Sequence, residues 1–181
     1  MKFSSENELL DGARKFNADA LAAIYDQYSQ GIYAYSLRIL GEADLAEECT
    51  AETFSRFLNA LRSGKFPQDS VKAYLYRIAH NWMTDRFRRQ PPPILELIET
   101  IPADSQDAPD EVSARHILQS KIRAGLQVLT PEQRQVIVLR YLEEWDFEEI
   151  APVLNKTVGA VKALQHRALE ALRLVLYGDE D

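Results

Sequence analysis

The chain has 181 residues, of which 46% are hydrophobic and 27% are charged. This composition is typical of a globular protein, and the length suits one medium domain or two small ones. The formal net charge is -7, which excludes a uniformly basic surface of the kind that binds nucleic acid through charge alone. Any contact with DNA must therefore use local basic patches.

The residues that carry chemistry are few and scattered. Cys49 is the single cysteine, so we expect no internal disulfide and a reducing compartment. The start, MKFSSENELLDG, is too polar for a signal peptide, and no apolar stretch reaches the ~18 residues of a membrane span. His80, His116 and His166 form no metal-binding spacing, and there is no glycine-rich phosphate loop. We therefore expect a cytoplasmic protein that is not an enzyme, with no catalytic residue, no metal and no cofactor.

Apolar residues recur at helical spacing, and strand signals are nearly absent. The first long run has one apolar face: Leu21, Ile24, Tyr25, Tyr28, Ile32 and Ile39. The second run has Leu45, Cys49, Thr53, Phe57 and Leu61 inward. The third run, from about Val71 to Arg89, has Val71, Tyr74, Leu75, Ile78, Ala79 and Trp82 inward. The sequence therefore predicts an all-α protein.

Two segments interrupt the helical pattern. The stretch Arg62–Ser70 is predicted to be a loop because of its glycine, proline and serines. Residues 91–112 contain no lysine or arginine and six acidic residues. They begin with three successive prolines, which cannot lie inside a helix. We predict that this acidic segment is a flexible linker between two small helical domains, at residues 1–90 and 113–181.

The C-terminal part has the pattern of a helix-turn-helix. Thr130, Pro131 and Gln133 form a helix-start signal, Asp146 can cap a first short helix, and Thr157 can cap the second. The second helix leaves a face without apolar bulk, made of Lys162, Ala163, His166 and Arg167. A basic or small face of this kind fits the major groove of DNA. An ordinary helical hairpin with a solvated outer face would show the same pattern.

The chain resembles the ECF-type (extracytoplasmic function) sigma factors of bacterial RNA polymerase. The likeness covers Ala13–Arg89 and Ser113–Leu176. Three motifs carry it, in this order: DLAEECTAETFSRF (Asp44–Phe57), AYLYRIAHNWMTDRFRR (Ala73–Arg89) and LTPEQRQVIVLRYLEEWDFEEIAPVLNKTVGAVKALQHRALEALR (Leu129–Arg173). The resemblance implies a sigma region 2 helical bundle, a linker and a sigma region 4 helix-turn-helix. It implies a transcription initiation factor.

The first motif resembles the acidic helix with which the family binds core polymerase. The resemblance assigns this contact to Glu47, Glu48 and Glu52. Exposed carboxylates on one helix can pair with arginine or lysine of a partner, although a solvated acidic face is the commoner role of such residues. The sequence departs from the family pattern at Glu48, where the family has aspartate, and at Ala51, where it has glutamine.

The second motif resembles the helix that reads and opens the downstream promoter element, the minus-ten box. The resemblance places Asn81 near the pocket for a flipped base, and the loop Ser63–Ser70 over that base. Holding an unstacked base requires polar and aromatic partners. Tyr76 lies off the inward face and is the stacking candidate. Five basic residues are candidates for phosphate contacts: Lys72, Arg77, Arg86, Arg88 and Arg89.

The third motif implies that Lys162, Ala163, His166 and Arg167 contact the upstream element, the minus-thirty-five box. The implied partners are bacterial core RNA polymerase, promoter DNA and an anti-sigma factor. We expect a monomer outside the holoenzyme, with the two domains mobile about the linker. Two alternatives stay open: a stand-alone helix-turn-helix regulator that binds operators as a dimer, and a helical adaptor that binds only protein.

Overall fold

The computed structural model describes residues 5–65, 70–90 and 124–177. The predicted linker at residues 91–112 lies outside these ranges, as do residues 66–69 of the predicted loop. All the elements of the described ranges are helical, which confirms the all-α class.

The N-terminal unit contains α1 (Glu6–Arg14), α2 (Ala18–Leu40), α3 (Ala43–Ser63) and α4 (Val71–Arg89). Side-chain caps start three of these helices, because Ser5, Asn17 and Ser70 each accept a hydrogen bond from a first-turn backbone N–H. Helices α2 and α3 end at glycines in the left-handed region, with φ of 79° at Gly41 and 66° at Gly64. Glycine adopts this conformation without steric cost.

The core of the N-terminal unit lies between α2, α3 and α4. It follows the predicted inward faces: Ile24 and Ile32 of α2, Phe57 of α3 and Leu75 of α4 are buried. Tyr25 was expected inward and is instead 53% exposed. Its ring packs against that of Phe54, which is buried, with centroids 4.9 Å apart.

Helix α1 is absent from the sequence prediction, which treats this stretch as a polar start. It buries only Leu9, Leu10 and Ala13, too few apolar residues for a clear periodic signal. The carboxylate of Glu6 accepts a hydrogen bond from the backbone N–H of Val71 at 3.0 Å. Helix α1 therefore satisfies a free donor at the start of α4 and fixes that helix end.

The C-terminal unit contains α5 (Pro131–Ile137), a π-helical segment (Val138–Leu142), α6 (Phe147–Val153) and α7 (Val158–Tyr177). The predicted caps are present. Thr130 and Gln133 form a reciprocal capping box, with hydrogen bonds of 3.0 and 3.3 Å. The hydroxyl of Thr157 accepts from the N–H of Ala160 at 3.2 Å. Helices α6 and α7 pack on each other as the predicted helix-turn-helix.

The two units pack against each other. Helix α4 contacts α6, and α2 contacts both α5 and the π-helical segment. The expectation that the domains move about the linker stays a prediction, and this closed arrangement is the starting point for any such motion.

The turn that follows the π-helical segment contains a strained residue. Glu144 has a φ of 59°, a left-handed conformation that costs an ordinary L-residue about 1 kcal/mol or more. We expect Glu144→Gly to remove this cost and to raise the melting temperature by about 2–4 °C, as measured by thermal unfolding.

Asn155 provides the matched control, because its φ is 53° and asparagine tolerates this region better than glutamate. Asn155→Gly should therefore raise the melting temperature less. A melting temperature that falls in Glu144→Gly would show that the turn is not strained.

Candidate nucleic-acid interface

The predicted DNA-reading face of α7 is open to solvent. Lys162, Ala163, His166 and Arg167 are all exposed, while Val161, Leu164 and Ala168 are buried on the opposite side. The exposed residues fall within one side of the helix at 100° per residue. The structure therefore brings together the four residues that the sequence assigns to the upstream promoter element.

Helix α6 and the π-helical segment hold α7 in position. The carboxylate of Glu149 accepts from the N–H of Asp146 at 2.7 Å and fixes the start of α6. The side-chain amide of Gln165 donates to the hydroxyl of Tyr141 at 2.5 Å. Helices α6 and α7 also pack on each other, so the predicted DNA-reading face belongs to a helix that two neighbouring elements contact.

The charge of the α7 face is moderated by neighbouring groups. Nδ1 of His166 lies 3.5 Å from a carboxylate oxygen of Glu170. The Lys162 ammonium lies 5.3 Å from the centroid of the Phe147 ring, and Nε of Arg167 donates to the Ala163 carbonyl at 3.3 Å. Glu170 and Ala163 are exposed and Phe147 is half-buried, and such surface contacts are weak, so the basic groups can turn toward a partner at little cost.

The downstream-element candidates on α4 divide between two sides of that helix. Arg77, Asn81 and Arg88 share one side at helical spacing. Asn81 and Arg88 are exposed and Arg77 is half-buried. The Arg77 guanidinium lies 5.3 Å from the centroid of the Tyr74 ring. This side is an open basic and amide surface, and Arg89 is exposed at the end of the same helix.

Tyr74 and Trp82 were expected to pack inward, and both are half-buried. The Tyr74 ring packs edge-on against Phe57, and its hydroxyl donates to the Lys65 carbonyl at 3.3 Å. Tyr74 therefore anchors the near end of the predicted specificity loop to α4. The guanidinium of Arg86 lies 5.9 Å from the Trp82 ring centroid.

Lys72 and Tyr76 lie on a different side of α4, where the C-terminal unit covers them. Tyr76 is 2% exposed, which corrects the expectation that its ring lies open for base stacking. Its ring contacts those of Tyr35 and Trp145, at centroid distances of 5.2 and 4.9 Å. The Lys72 ammonium lies 4.5 Å from the Trp145 ring centroid. The sequence pattern placed Tyr76 off the inward face of α4, and Tyr35 of α2 and Trp145 of the second unit together bury it.

The acidic face of α3 is accessible. Glu47 and Glu48 are exposed and make no salt bridge with any residue that the structure describes. Glu52 is half-buried and pairs with Arg56 at 2.7 Å. Beside Glu47, the side chains of Tyr25 and Tyr33 line a shallow groove between α2 and α3. The face thus combines exposed carboxylates, which can pair with basic residues of a partner, with exposed tyrosine surface, and aromatic residues are enriched in protein interfaces.

The sequence analysis missed the residues that join the two units. The Glu143 carboxylate accepts from Arg38 at 2.7 Å and from the Tyr76 hydroxyl at 2.8 Å. Burial, followed by the charge of Glu143, raises the pKa of Tyr76 above its ordinary value. Nδ1 of His80 lies 2.6 Å from the side-chain oxygen of Gln135, and both residues are buried. Periodicity carries no signal for such contacts, because the partners are 55 or more residues apart.

The described residues contain no helix long and apolar enough to cross a membrane. They also contain no group of three or more histidine, cysteine or acidic side chains that could hold a metal ion. Cys49 is buried, and burial is the main cause that raises its pKa to about 11, so its thiol is a poor nucleophile at neutral pH.

Two family descriptions match the chain. Sigma-70 region 2 matches residues 24–91, and Sigma-70 region 4 matches residues 125–174. The first match spans α4 and its acidic neighbour α3, and the second spans the helix-turn-helix. The three candidate surfaces, on α3, α4 and α7, therefore lie inside the matched segments.

Curated relatives and a solved structure agree with these matches. The ECF RNA polymerase sigma factor SigW of Bacillus subtilis is 33% identical over 171 residues, covering 88% of this chain and 90% of SigW. The ECF RNA polymerase sigma factor BldN of Streptomyces coelicolor is 30% identical over 178 residues, covering 95% of this chain and 66% of BldN. CnrH, solved in complex with the cytosolic domain of CnrY, has a TM-score of 0.70 at 24% identity, covering 97% of this chain and 99% of CnrH.

The buried histidine makes stability depend on pH. Burial is the largest cause that lowers the pKa of His80 below 6.5, with a further lowering from Lys156 and opposing effects of Gln135 and Glu132. The folded protein therefore favours neutral imidazole. The His80 contribution to the free energy of unfolding is full above pH 6.5 and is lost as the pH falls from there toward the lowered pKa.

Between pH 7.5 and pH 5, we expect the free energy of unfolding to change less in His80→Gln than in the wild type, since glutamine cannot titrate. Urea unfolding at both pH values measures this difference. Asn81→Gln is the control, because Asn81 is exposed on the same helix and neither side chain titrates, and it should keep the wild-type pH dependence. If the free energy of unfolding depends on pH equally in the wild type and in His80→Gln, the buried His80 is not the cause of that dependence.

Proposed function

The chain belongs to the ECF sigma factors of bacterial RNA polymerase, and from that premise we propose which of its surfaces performs each step of promoter recognition. As a sigma factor, the protein binds core RNA polymerase and directs it to promoters, where transcription starts. We assign residues 1–90 to region 2, residues 91–112 to the linker and residues 113–181 to region 4. The polymerase catalyses RNA synthesis, and this protein acts in the cytoplasm.

Region 4 reads the upstream element with the exposed face of α7. The observation that carries this proposal is the joint exposure of Lys162, Ala163, His166 and Arg167 on a helix held rigidly by α6. Lys162 and Arg167 can donate to guanine or to phosphate, and the methyl group of Ala163 can contact thymine. The -7 net charge does not oppose this role, because the local face and not the whole chain meets the DNA.

Region 2 acts on the downstream element with the open side of α4. Asn81 has the donors and acceptor to recognise an unstacked base, and Arg77 and Arg88 can neutralise phosphates on either side of it. Arg86 and Arg89 extend this basic surface along the end of the helix. Lys72 and Tyr76 can contact the downstream element only if region 4 moves away from their side of α4.

The acidic face of α3 binds core polymerase. Glu47 and Glu48 are exposed and available to pair with basic residues of a partner, and Glu52 can exchange Arg56 for such a residue. An anti-sigma partner and a monomeric state outside the holoenzyme remain predictions of the resemblance.

We expect Arg167→Ala to reduce transcripts from the cognate promoter by about tenfold, since one good base contact provides about 1–3 kcal/mol of discrimination. The assay reconstitutes the purified protein with bacterial core polymerase and genomic DNA and maps the transcript starts. Lys15→Ala is the control, because Lys15 is an exposed basic residue at the end of α1 and belongs to none of the three candidate surfaces. Unchanged transcription in Arg167→Ala would remove this residue from the reading face.

Glu47→Lys should weaken binding to core polymerase by at least tenfold, because a reversed charge turns an attraction into a repulsion. Fluorescence anisotropy of the labelled protein, titrated with core polymerase, measures the affinity. Glu148→Lys reverses an equally exposed charge on α6 and should leave the affinity unchanged. If both variants bind like the wild type, the acidic face of α3 is not the binding surface.

A further inference from the structure

Two cationic side chains lie close to the ring of Phe147, the first residue of α6. The guanidinium carbon of Arg140 is 5.0 Å from the ring centroid, and the Lys162 ammonium is 5.3 Å from it. Both distances fall within the ~6 Å at which an aromatic face attracts a cation. The ring therefore connects the π-helical segment, which contains Arg140, to α7, which contains Lys162.

The Arg140 side chain is attached to the residues that precede the ring. Its guanidinium donates to the Trp145 carbonyl at 2.9 Å and to the Asp146 carboxylate at 3.3 Å. The Arg140 side chain is 32% exposed, so water surrounds it only in part. Because the same guanidinium bonds the two residues before Phe147 and lies over its ring, it restricts where that ring can lie.

The first turn of α6 also holds Phe147 in place. The carboxylate of Glu149 accepts from the backbone N–H of Asp146 at 2.7 Å, which fixes the start of the helix. Phe147 is half-buried and packs against the hydrophobic core. The ring is therefore a positioned group, and Lys162 approaches it from the neighbouring helix.

Lys162 lies at one edge of the DNA-reading face of α7. At 100° per residue, His166, Ala163 and Arg167 follow it around the helix at about 40°, 100° and 140°. Lys162 is exposed and makes no salt bridge with any residue that the structure describes. A lysine carries a compact charge on a flexible stem, so its ammonium samples many positions unless a neighbouring group favours one of them.

The position of this ammonium decides what Lys162 contributes to DNA binding. Beside a guanine it can donate to O6 and N7 and discriminate between base pairs. Beside the DNA backbone it contacts only phosphate, which contributes affinity without sequence information. An aromatic face can favour one position without neutralising the charge, whereas a carboxylate partner would compete with the DNA.

We propose that Phe147 is a positioning residue for promoter recognition, and that its ring, held by Arg140, directs Lys162 toward one base pair of the upstream element. The proposal rests on the proposed function of the α7 face. It adds a residue of α6 that acts through Lys162 and that need not touch DNA itself. The attraction of an exposed cation to an aromatic ring corresponds to a factor of about two to five in population.

The test compares variants of Phe147 that keep or remove the aromatic face. Phe147→Leu and Phe147→Met keep an apolar side chain without a ring, and Phe147→Tyr keeps the ring. Each protein is reconstituted with bacterial core polymerase on a library of one mapped promoter. The minus-thirty-five element is randomised in this library, and each template carries a transcribed barcode, so that sequenced transcripts report the preference at each base pair. Lys162→Ala identifies the base pair at which Lys162 contributes.

We expect Phe147→Leu and Phe147→Met to reduce the preference at that base pair by about two- to fivefold, and to leave the other base pairs unchanged. Phe147→Tyr should retain the wild-type preference. Phe147→Leu combined with Lys162→Ala should lose no more than Lys162→Ala alone, because the ring acts through the lysine. Thermal unfolding and the affinity for core polymerase show that each variant is folded and keeps its polymerase-binding surface.

An unchanged preference in both ringless variants would overturn the proposal. An equal loss at every base pair, an equal loss in Phe147→Tyr, or unfolding of both ringless variants would also overturn it, since each result assigns the ring a purely structural role. If Lys162→Ala leaves every preference unchanged, Lys162 reads no base and the proposal fails, while the rest of the α7 face keeps its role. Transcription without preference at any base pair of the element, in every protein, would refute the proposed function of α7 and the proposal with it.

Discussion

The three sides of helix α4 lie in three different environments, and the rest of the structure packs around this helix. One side contributes Leu75 and Ala79 to the core of region 2. A second side lies under region 4 through Tyr76 and His80. The third side carries Asn81 and stays open. A helix so placed can be fixed in position by hydrophobic burial, at about 1.5–3 kcal/mol for each large side chain, and still keep polar groups free for DNA.

Three contacts fix the position of the first turn of α4. Ser70 caps the first turn, and Glu6 of α1 binds the N–H of Val71 at 3.0 Å. Tyr74 then ties the preceding chain at Lys65 to the same turn. The start of the helix therefore keeps a fixed position relative to the loop that precedes it. The proposed recognition of a base by this surface needs a fixed helix, because recognition depends on placing donors and acceptors within small tolerances.

Much of this architecture is predictable from the sequence, and the limits of that prediction have physical causes. The inward faces of α3 and α4 follow from helical periodicity, and the caps at Thr130 and Thr157 follow from local hydrogen-bonding chemistry. Helix α1 escapes prediction because it buries only three residues. Tyr76 is misjudged for a different reason. Trp145 and Glu143 contribute to its burial. Both residues are distant in the chain, and local sequence patterns contain no information about them. The open faces of α7 and α3 were predictable because exposure there depends on one helix and its immediate neighbours.

The central claim is that α3, α4 and α7 present separate surfaces to polymerase and promoter. A cryo-electron microscopy structure of the protein with core polymerase and its promoter tests this most directly. The account predicts polymerase against Glu47, the minus-ten element against Asn81 and the minus-thirty-five element against Arg167. A holoenzyme in which Glu47 lies away from the polymerase, or in which α7 lies away from the DNA, would contradict it.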